Sequence, residues 1–362
     1  MKLSDYTVEL MKELTQVVGV SGNEKHISKA LQTHYKKYTD EIIFDNLGSL
    51  FAVKKSNKKD AKKVMISAHM DEVGFIVHEI EANGLIKILQ VGPIWEQSLI
   101  ASRVKVVNYN GEEIEGVIVS KPKLLINDSD KGKVVNVNNM YVDIGTSSKE
   151  EVENLGIELG DSIVVNGEFE ILNGEKRIVS KAWDNRYGCI LGIEILKDLK
   201  DIELDFDLYV GCTVQNEVGL RGCITATNLI KPDLSIVLDC LSADDLNGSD
   251  DSTGKLGEGV LVSYYDKSMM PNRALLNHLV DVCEENNIKH QFYYSMDDGD
   301  AGWIHKLQEG CPTLKGCICA RNSKTSSEII DIDDYISARF AITEIIKNLN
   351  EEAIEKFKME NR

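Results

Sequence analysis

The sequence predicts an α/β fold with a mixed sheet, interrupted by an inserted all-β domain. Apolar runs of strand length, such as residues 64–68 and 209–214, end abruptly in polar clusters. Such runs are typical of buried strands in an open α/β sheet. Between residues 72 and 171 the apolar runs are shorter and helical spacing is almost absent. We therefore assign residues 1–71 and 172–362 to one discontinuous α/β domain, and residues 72–171 to the insert.

Amphipathic helices are predicted where apolar residues recur three or four positions apart. In the first of them Val8, Met11 and Leu14 share a face, and the preceding Ser4 is a typical N-cap residue. The segments predicted to be helical on this pattern are 4–18, 24–38, 148–155, 184–199, 272–287 and 333–358.

Strands of the α/β domain are predicted where β-branched apolar runs lack a helical period. Four of these runs end in polar residues, and open α/β sheets bind ligands outside the carboxyl ends of their strands. The four strand ends should therefore converge on one crevice. The predicted strands are 42–53, 64–68, 207–214, 235–238 and 314–320.

The insert is marked by Asn-Gly pairs, which favour the tight turns of β-hairpins. Three of the four pairs lie within residues 72–171, and the fourth follows directly. Each pair predicts a hairpin, and together they indicate a small β unit with a barrel-like form. The pairs are at 83–84, 110–111, 166–167 and 173–174.

Composition excludes several classes of partner. The 362 residues carry a formal net charge of −18, which argues against binding to nucleic acid or to anionic membranes. No apolar run approaches the length of a membrane span, and the N-terminus lacks a signal-peptide pattern, so we expect a cytoplasmic protein. The eight cysteines lie mostly in apolar runs without zinc-type spacing, which favours buried free thiols.

Potential metal ligands lie at the strand ends and at the start of one helix. His69 follows one strand, Glu217 and Asp239 follow two others, and Asp184 opens a helix. Imidazole with carboxylates suits zinc, cobalt or manganese, and a carboxylate between two ions could bridge them. Each residue alone could be an ordinary polar group at a strand end. Together they predict a divalent-metal site.

Eight segments carry a resemblance to one known family, and they follow the family order along nearly the full chain: SAHMDEVGF (67–75), MYVDIGTSSKEEV (140–152), GIELGD (156–161), KAWDNRYGC (181–189), TVQNEVGLRG (213–222), VLDC (237–240), DGDAGWIHKLQEGCPTL (298–314) and SSEIIDIDD (326–334). They resemble the tetrahedral (TET) and glutamyl aminopeptidases, cytosolic two-metal enzymes of which some carry an endoglucanase label. The resemblance implies a zinc-aminopeptidase-type catalytic domain, a β insert used for oligomerisation, peptides as substrates, and a homo-oligomer, often a dodecamer.

The resemblance also implies roles for individual residues. His69 and Asp239 would bind the first metal, Asp184 would bridge both ions, and Glu217 would bind the second metal. Asp71 would not bind a metal itself. It would orient the neighbouring ligands, the support that metal-bound histidines usually need.

At two positions the chain departs from the family pattern. Asn216 stands where the family has the glutamate that acts as general base. Lys324 stands where the family has a histidine that binds the second metal, within Arg-Asn-Ser-Lys-Thr-Ser, while Glu328 is still in register. An amide cannot take up the proton of a water molecule.

The two departures are related by charge. The carboxylates of Asp184, Glu217 and Asp239 carry three negative charges, which one divalent cation and the Lys324 ammonium would balance. We therefore predict that Lys324 replaces the second metal by pairing with Glu217. The alternative is that Lys324 points to solvent and that the change has no function.

These residues lead to one preferred hypothesis on function and two alternatives. The preferred hypothesis is a member of this family that binds at most one metal ion, zinc or cobalt, and is weakly active or inactive, a pseudoenzyme with a binding role. The first alternative is a functional metal-dependent aminopeptidase that releases N-terminal residues from peptides. The second, a glycosidase, needs two carboxyl groups with separate roles, which the metal-ligand pattern does not favour.

Overall fold

The computed structural model of the chain describes residues 2–39, 41–125, 127, 132–248 and 252–360. Within these residues the α-helices are, in chain order, α1 (Asp5–Gln16), α2 (Lys25–Tyr35), α3 (Lys149–Asn154), α4 (Trp183–Asp198), α5 (Arg221–Ile230), α6 (Arg273–Glu285), α7 (Asp300–Ile304), α8 (Ile332–Asn348) and α9 (Glu351–Met359).

The strands of the same residues belong to a central sheet, a closed barrel and three small sheets. They are β1 (Glu41–Phe44), β2 (Leu50–Lys54), β3 (Lys63–His69), β4 (Gly74–Ile80), β5 (Ile86–Val91), β6 (Arg103–Val107), β7 (Glu113–Ser120), β8 (Met140–Asp143), β9 (Ser162–Val165), β10 (Glu170–Ile171), β11 (Arg177–Ser180), β12 (Asp207–Thr213), β13 (Leu234–Val237), β14 (Cys240–Ser242), β15 (Val260–Asp266), β16 (His290–Ser295), β17 (Thr313–Lys315), β18 (Ile318–Ala320) and β19 (Glu328–Asp331).

The central sheet is mixed, which confirms the predicted fold class. Its order is β1-β2-β12-β3-β13-β17, with the last four strands parallel and β1-β2 an antiparallel hairpin at one edge. In the β12–β3 register Thr213 lies opposite His69, so these two strands end at the same level. The segments that follow them therefore meet at one edge of the sheet.

Helix α4 packs directly on the sheet and carries a predicted metal ligand in its first turn. Residues 183–196 of this helix are all buried, which matches a segment that is apolar on most of its faces. Gly188 allows the close approach to β3, since a Cβ atom there would lie 2.6 Å from the Cβ of Ala68. This contact holds Asp184 beside the carboxyl end of β3.

Three predicted elements are each divided in the structure. Residues 42–53 form the hairpin β1-β2, because Asp45 accepts hydrogen bonds from the backbone N–H groups of Leu47, Gly48 and Ser49 and closes a turn. Residues 314–320 contribute β17 and β18 to different sheets. The predicted C-terminal helix is two helices, because the Asn350 side chain caps a new start by accepting from the N–H of Ala353.

The insert forms a closed barrel with strand order β4-β5-β8-β7-β6-β9, as the barrel-like prediction required. Its interior holds a separate apolar core that includes Phe75, Ile88, Val106 and Ile163. The Asn-Gly pairs at 83–84, 110–111 and 173–174 lie in the turns of hairpins. The prediction at 166–167 is wrong, because β9 and β10 belong to different sheets and the chain there leaves the barrel.

The domain boundaries at residues 71 and 171 stay predictions, although the barrel strands lie between residues 74 and 165. After the barrel, β10 and β11 pair with β19 in a small sheet next to the crevice. All eight cysteines are buried and unpaired, as predicted. Among the described helices, none has the length and apolar character needed to cross a bilayer.

Candidate metal site

Three predicted metal ligands converge at the carboxyl edge of the sheet. His69 ends β3, Asp239 follows β13, and Asp184 lies in the first turn of α4. The Nε2 atom of His69 is 3.2 Å from Oδ1 of Asp184 and 3.9 Å from Oδ1 of Asp239. One donor atom of each residue lies within 4.8 Å of the other two. One imidazole and two carboxylates at this spacing fit a single divalent ion of the zinc or cobalt type.

The proton on His69 depends on its carboxylate neighbours. Burial lowers the pKa of His69, but the hydrogen bonds to Asp184 and Asp71 outweigh that effect and hold the pKa well above its usual value. A ligand imidazole must be neutral to bind a metal ion. A cation that binds between His69 and Asp184 therefore replaces a proton.

Asp71 connects the loops behind the site. Its Oδ1 atom lies 3.4 Å from Nδ1 of His69. Its Oδ2 atom accepts a hydrogen bond from the Ser21 hydroxyl and another, 3.0 Å long, from the N–H of Glu217. Burial raises the pKa of Asp71, and the hydrogen bond to His69 more than compensates, so the pKa is lowered overall. Asp71 thus contacts the imidazole, the Ser21 segment and the loop after β12 at once.

Lys324 extends into the carboxylate cluster. Its Nζ atom is 2.6 Å from Oε2 of Glu217 and 3.6 Å from Oδ2 of Asp184. Burial lowers the pKa of Lys324, but the charges of Asp184 and Glu217 raise it well above its ordinary value overall. The ammonium therefore occupies the space between these two carboxylates. The other oxygen of Glu217, Oε1, is buried and has no hydrogen-bond partner among the described residues.

Glu328 holds the backbone of two site residues at once. Its carboxylate accepts 2.9 Å and 2.6 Å hydrogen bonds from the N–H groups of Asp184 and Lys324. Lys324 has a φ of +61°, a left-handed conformation that costs a residue with a side chain about 1–2 kcal/mol. The buried Glu328 stabilises this conformation. Burial and the nearby Asp184 charge raise the pKa of Glu328 to about 8.

Asn216, which the sequence resemblance predicts to lie at the base position of the family, is hydrogen-bonded to a carboxylate that sequence reasoning missed. Its Nδ2 atom donates a 2.7 Å hydrogen bond to Oδ1 of Asp300, whose Oδ2 accepts a 2.8 Å bond from Thr213. Asp300 is fully buried at the start of α7. In the sequence Asp300 follows Gly299 at the start of a short helix. Nothing in this pattern distinguishes it from an ordinary acidic residue at a helix N-terminus.

A second missed group is a buried ion cluster beneath the loop that follows β3. Glu72 pairs with Lys181 at 2.7 Å and with Arg186 at 3.2 Å. The Arg186 guanidinium also donates to the carbonyl oxygens of Met70, Leu14 and Val17. The sequence did point to this cluster. Arg186 lies inside an apolar helical segment two residues after Asp184, and an arginine buried there needs buried partners.

A narrow cavity of about 20 Å³, room for about one water molecule, lies beside Lys324, between the α/β domain and the barrel. Its apolar wall comes mainly from the barrel side and includes Val73, Ile94, Leu99 and Val165. The opposite wall includes Asp184 and Lys324 themselves. The space beside Lys324 is therefore lined by apolar side chains on one side and by charged groups on the other.

A mixed sheet with an imidazole and carboxylates at its carboxyl edge, together with an inserted barrel, defines a metallopeptidase scaffold. The model of the M42 glutamyl aminopeptidase family matches residues 48–339. The chain belongs to this family, as the sequence resemblance predicted. The sheet, the barrel and the metal-type donor set are common features of that scaffold. The individual roles stay predictions for seven residues: His69, Asp71, Asp184, Asn216, Glu217, Asp239 and Lys324.

Known relatives agree over nearly the full length. The chain is 32% identical to the glutamyl aminopeptidase of Lactococcus lactis subsp. cremoris, which covers 96% of this chain and 98% of that protein. It is 34% identical to the putative aminopeptidase FrvX of Escherichia coli, covering 97% and 98%. The solved TET aminopeptidase of Thaumarchaeota archaeon SCGC AB-539-E09 superposes with a TM-score of 0.93 at 33% identity, covering 98% and 100%.

Proposed function

We propose that this M42-family protein binds one divalent ion per chain and has little or no aminopeptidase activity, and that it acts through peptide binding. The observation that carries the proposal is the Lys324 ammonium, 2.6 Å from Glu217 and 3.6 Å from Asp184. A fixed cation at that point replaces the charge of a second metal and removes the space for it. Glu217 keeps a positively charged partner without a metal ion.

The one ion is assigned to His69, Asp184 and Asp239, whose donor atoms already lie within 4.8 Å of one another. Zinc or cobalt suits a site with one imidazole and two carboxylates. When bound, such an ion polarises a carbonyl oxygen and makes a bound water more acidic. Asp71 would keep His69 in the orientation for binding from its Nε2 side.

Low activity follows from the group at the base position. The Asn216 amide cannot accept the proton of a water molecule, and its Nδ2 atom is held by Asp300 at 2.7 Å. Loss of a general base typically lowers the rate by about 10²–10⁴. Absence of a second cation removes further stabilisation of the transition state. The alternative of a fully functional aminopeptidase would need another base within reach of the ion.

Restoring the two family residues tests this proposal. The double variant Asn216→Glu/Lys324→His should bind a second metal ion and hydrolyse leucine p-nitroanilide at least about 10²-fold faster than the unmodified protein. Chelation with EDTA should abolish that gain. The matched control is Asn216→Gln/Lys324→Arg, which changes the same positions without adding a base or a metal ligand. A folded double variant without gained activity, or an equally active unmodified protein, would contradict the proposal.

We also propose a cytoplasmic homo-oligomer that contacts its copies through the barrel and binds peptides. The support comes from solved relatives, one of which is a PhTET1 dodecamer and another a Pyrococcus horikoshii TET1 peptidase that assembles into a tetrahedron or an octahedral shell. A lysyl aminopeptidase is also among the relatives. Light scattering of the purified protein should give a mass of several chains, and a monomer would contradict this.

A further inference from the structure

We propose that strand β16 of one copy of this chain pairs with β16 of a second copy, antiparallel and around a two-fold axis that passes through Tyr293. The inference rests on the homo-oligomer proposed above and adds a contact on the α/β domain to the contact through the barrel. It does not depend on the number of metal ions or on peptidase activity.

Strand β16 lies at the outer edge of a two-stranded sheet. Among the described strands it pairs only with β15, in parallel register. The other side of β15 is bridged to Cys317, so no described segment pairs with the outer side of β16. A strand in this position presents a row of N–H and C=O groups without sheet partners.

This edge lacks the features that usually keep edge strands from associating. Charged side chains, proline and very short length are the common protections. Residues 290–296, HQFYYSM, contain no proline and no aspartate, glutamate, lysine or arginine. Two other edge strands, β1 and β10, have four and two residues and each begins with a glutamate, whereas β16 has six residues. Strand β16 is therefore better suited than these to accept a further strand.

An aromatic stripe lies along the exposed face of the same strand. Phe292 and Tyr294 in the strand and Met296 just after it are 61%, 43% and 60% exposed. The ring of Tyr264 on β15 lies beside that of Tyr294, with centroids 6.3 Å apart. On the other face Tyr293 is buried, and its hydroxyl donates a 3.0 Å hydrogen bond to a carbonyl oxygen of β14. The strand is thus held from within and presents an apolar outer face.

Side-chain alternation restricts how two copies of β16 can pair. The inner face packs against the body of each copy, so outward-facing residues must lie opposite outward-facing residues. With Tyr293 at the two-fold axis, Phe292 of each copy lies opposite Tyr294 of the other. Aromatic pairs at directly opposite positions stabilise antiparallel sheets.

Charge complementarity selects this register among those that alternation allows. It places Lys289, directly before β16, opposite Asp297 of the second copy, and the two-fold axis repeats this pair at the other end. A shift by two residues in either direction would instead place Lys289 opposite the uncharged Ser295 or Gly299.

Both partners of this ion pair are available for it. Within the described part of the chain, the Asp297 carboxylate has no ion-pair partner. The Lys289 side chain is half-exposed and donates to Glu258 and to a carbonyl oxygen, which leaves one of its three N–H donors. An unrelated extended peptide could form the same backbone hydrogen bonds but would not supply two such ion pairs. The charges therefore favour a second copy as the occupant of this edge.

Sedimentation velocity of the full chain over a range of concentrations tests the contact. The unmodified protein should contain an even number of chains, and Phe292→Lys should lower the mass at least about twofold, because like charges would meet within the aromatic pairs. Phe340→Lys, which changes an exposed aromatic residue of helix α8 in the same way, is the matched control and should leave the mass unchanged. Circular dichroism verifies that both variants are folded.

Charge reversal tests the register. Lys289→Glu and Asp297→Lys should each raise the dissociation constant of the contact at least about tenfold, since each sets like charges opposite one another twice. The double variant Lys289→Glu/Asp297→Lys exchanges the two charges and should restore the association of the unmodified protein.

Two results would overturn the inference: an unchanged mass in Phe292→Lys, which would leave β16 to another partner or to none, and a double charge exchange that fails to restore association. A monomeric unmodified protein would refute this contact together with the proposed homo-oligomer. An oligomer whose mass none of the β16 variants changes would refute this contact alone.

Discussion

Removal of the Lys324 charge should destabilise the protein chiefly by leaving Glu217 unpaired. At 2.6 Å and an effective dielectric constant of about 20, the attraction in this pair is about 6 kcal/mol before desolvation is subtracted. Breaking a buried ion pair by deleting one partner costs about 3–5 kcal/mol. The Lys324 side chain is 32% exposed, so water partly screens the pair. We therefore expect a loss of about 2–3 kcal/mol for Lys324→Met, at or just below the low end of that range.

A double-mutant cycle isolates that interaction. Urea unfolding in EDTA would be measured for the unmodified protein, Lys324→Met, Glu217→Gln and the double variant. In the double variant Glu217 is no longer charged, although Asp184 loses the ammonium at 3.6 Å. The stability of the double variant should therefore lie between that of the unmodified protein and that of Lys324→Met, and the coupling energy should reach about 2 kcal/mol. Additive effects, with a coupling energy below about 0.5 kcal/mol, would refute the pairing of Lys324 with Glu217.

Three further predictions concern the surroundings of the ion. The carboxylate neighbours of His69 hold its pKa well above the usual value, so zinc binding at pH 7 should release about one proton. Calorimetry in buffers of different ionisation enthalpy measures this release, and a release of zero would contradict the prediction. Glu328→Gln should weaken zinc binding, because a glutamine has only one oxygen to replace the two that accept from the N–H groups of Asp184 and Lys324. Unchanged affinity in equilibrium dialysis would argue against that role. Asp300→Asn removes the carboxylate that accepts from Asn216 and serves as the control for Glu328→Gln. It should lower the free energy of unfolding in urea by about 1–3 kcal/mol and leave zinc stoichiometry unchanged. Loss of zinc would show that Asp300 contributes to metal binding.

Much of the site was accessible to sequence reasoning because several of its residues follow strands. His69 and Asp239, and Glu217 that pairs with Lys324, each come after an apolar run, and parallel strands bring such positions to one edge. Lys324 was identified by comparison with a family pattern and by charge, both of which are present in the sequence. Its distance from Glu217 and its left-handed backbone conformation could be learned only from the structure.

The errors arose where a local pattern does not determine which partners a segment meets. Residues 314–320 form one apolar run, yet Gly316 separates two strands because its N–H donates to Val237 and a Cβ would lie 2.7 Å from Ile342. Asp300 looks like an ordinary acid at a helix start, and Glu328 was recognised only as a residue in register with the family pattern. Their function as acceptors for Asn216 and for the Lys324 backbone depends on contacts between distant segments.

Metal stoichiometry distinguishes most directly between a lysine that replaces a cation and a conventional two-metal site. The unmodified protein would be equilibrated with zinc or with cobalt, freed of loosely bound ions, and measured by elemental analysis beside Lys324→His. One ion per chain, rising to two in Lys324→His, is the predicted result. Two ions per chain in the unmodified protein would contradict replacement of the second metal by Lys324.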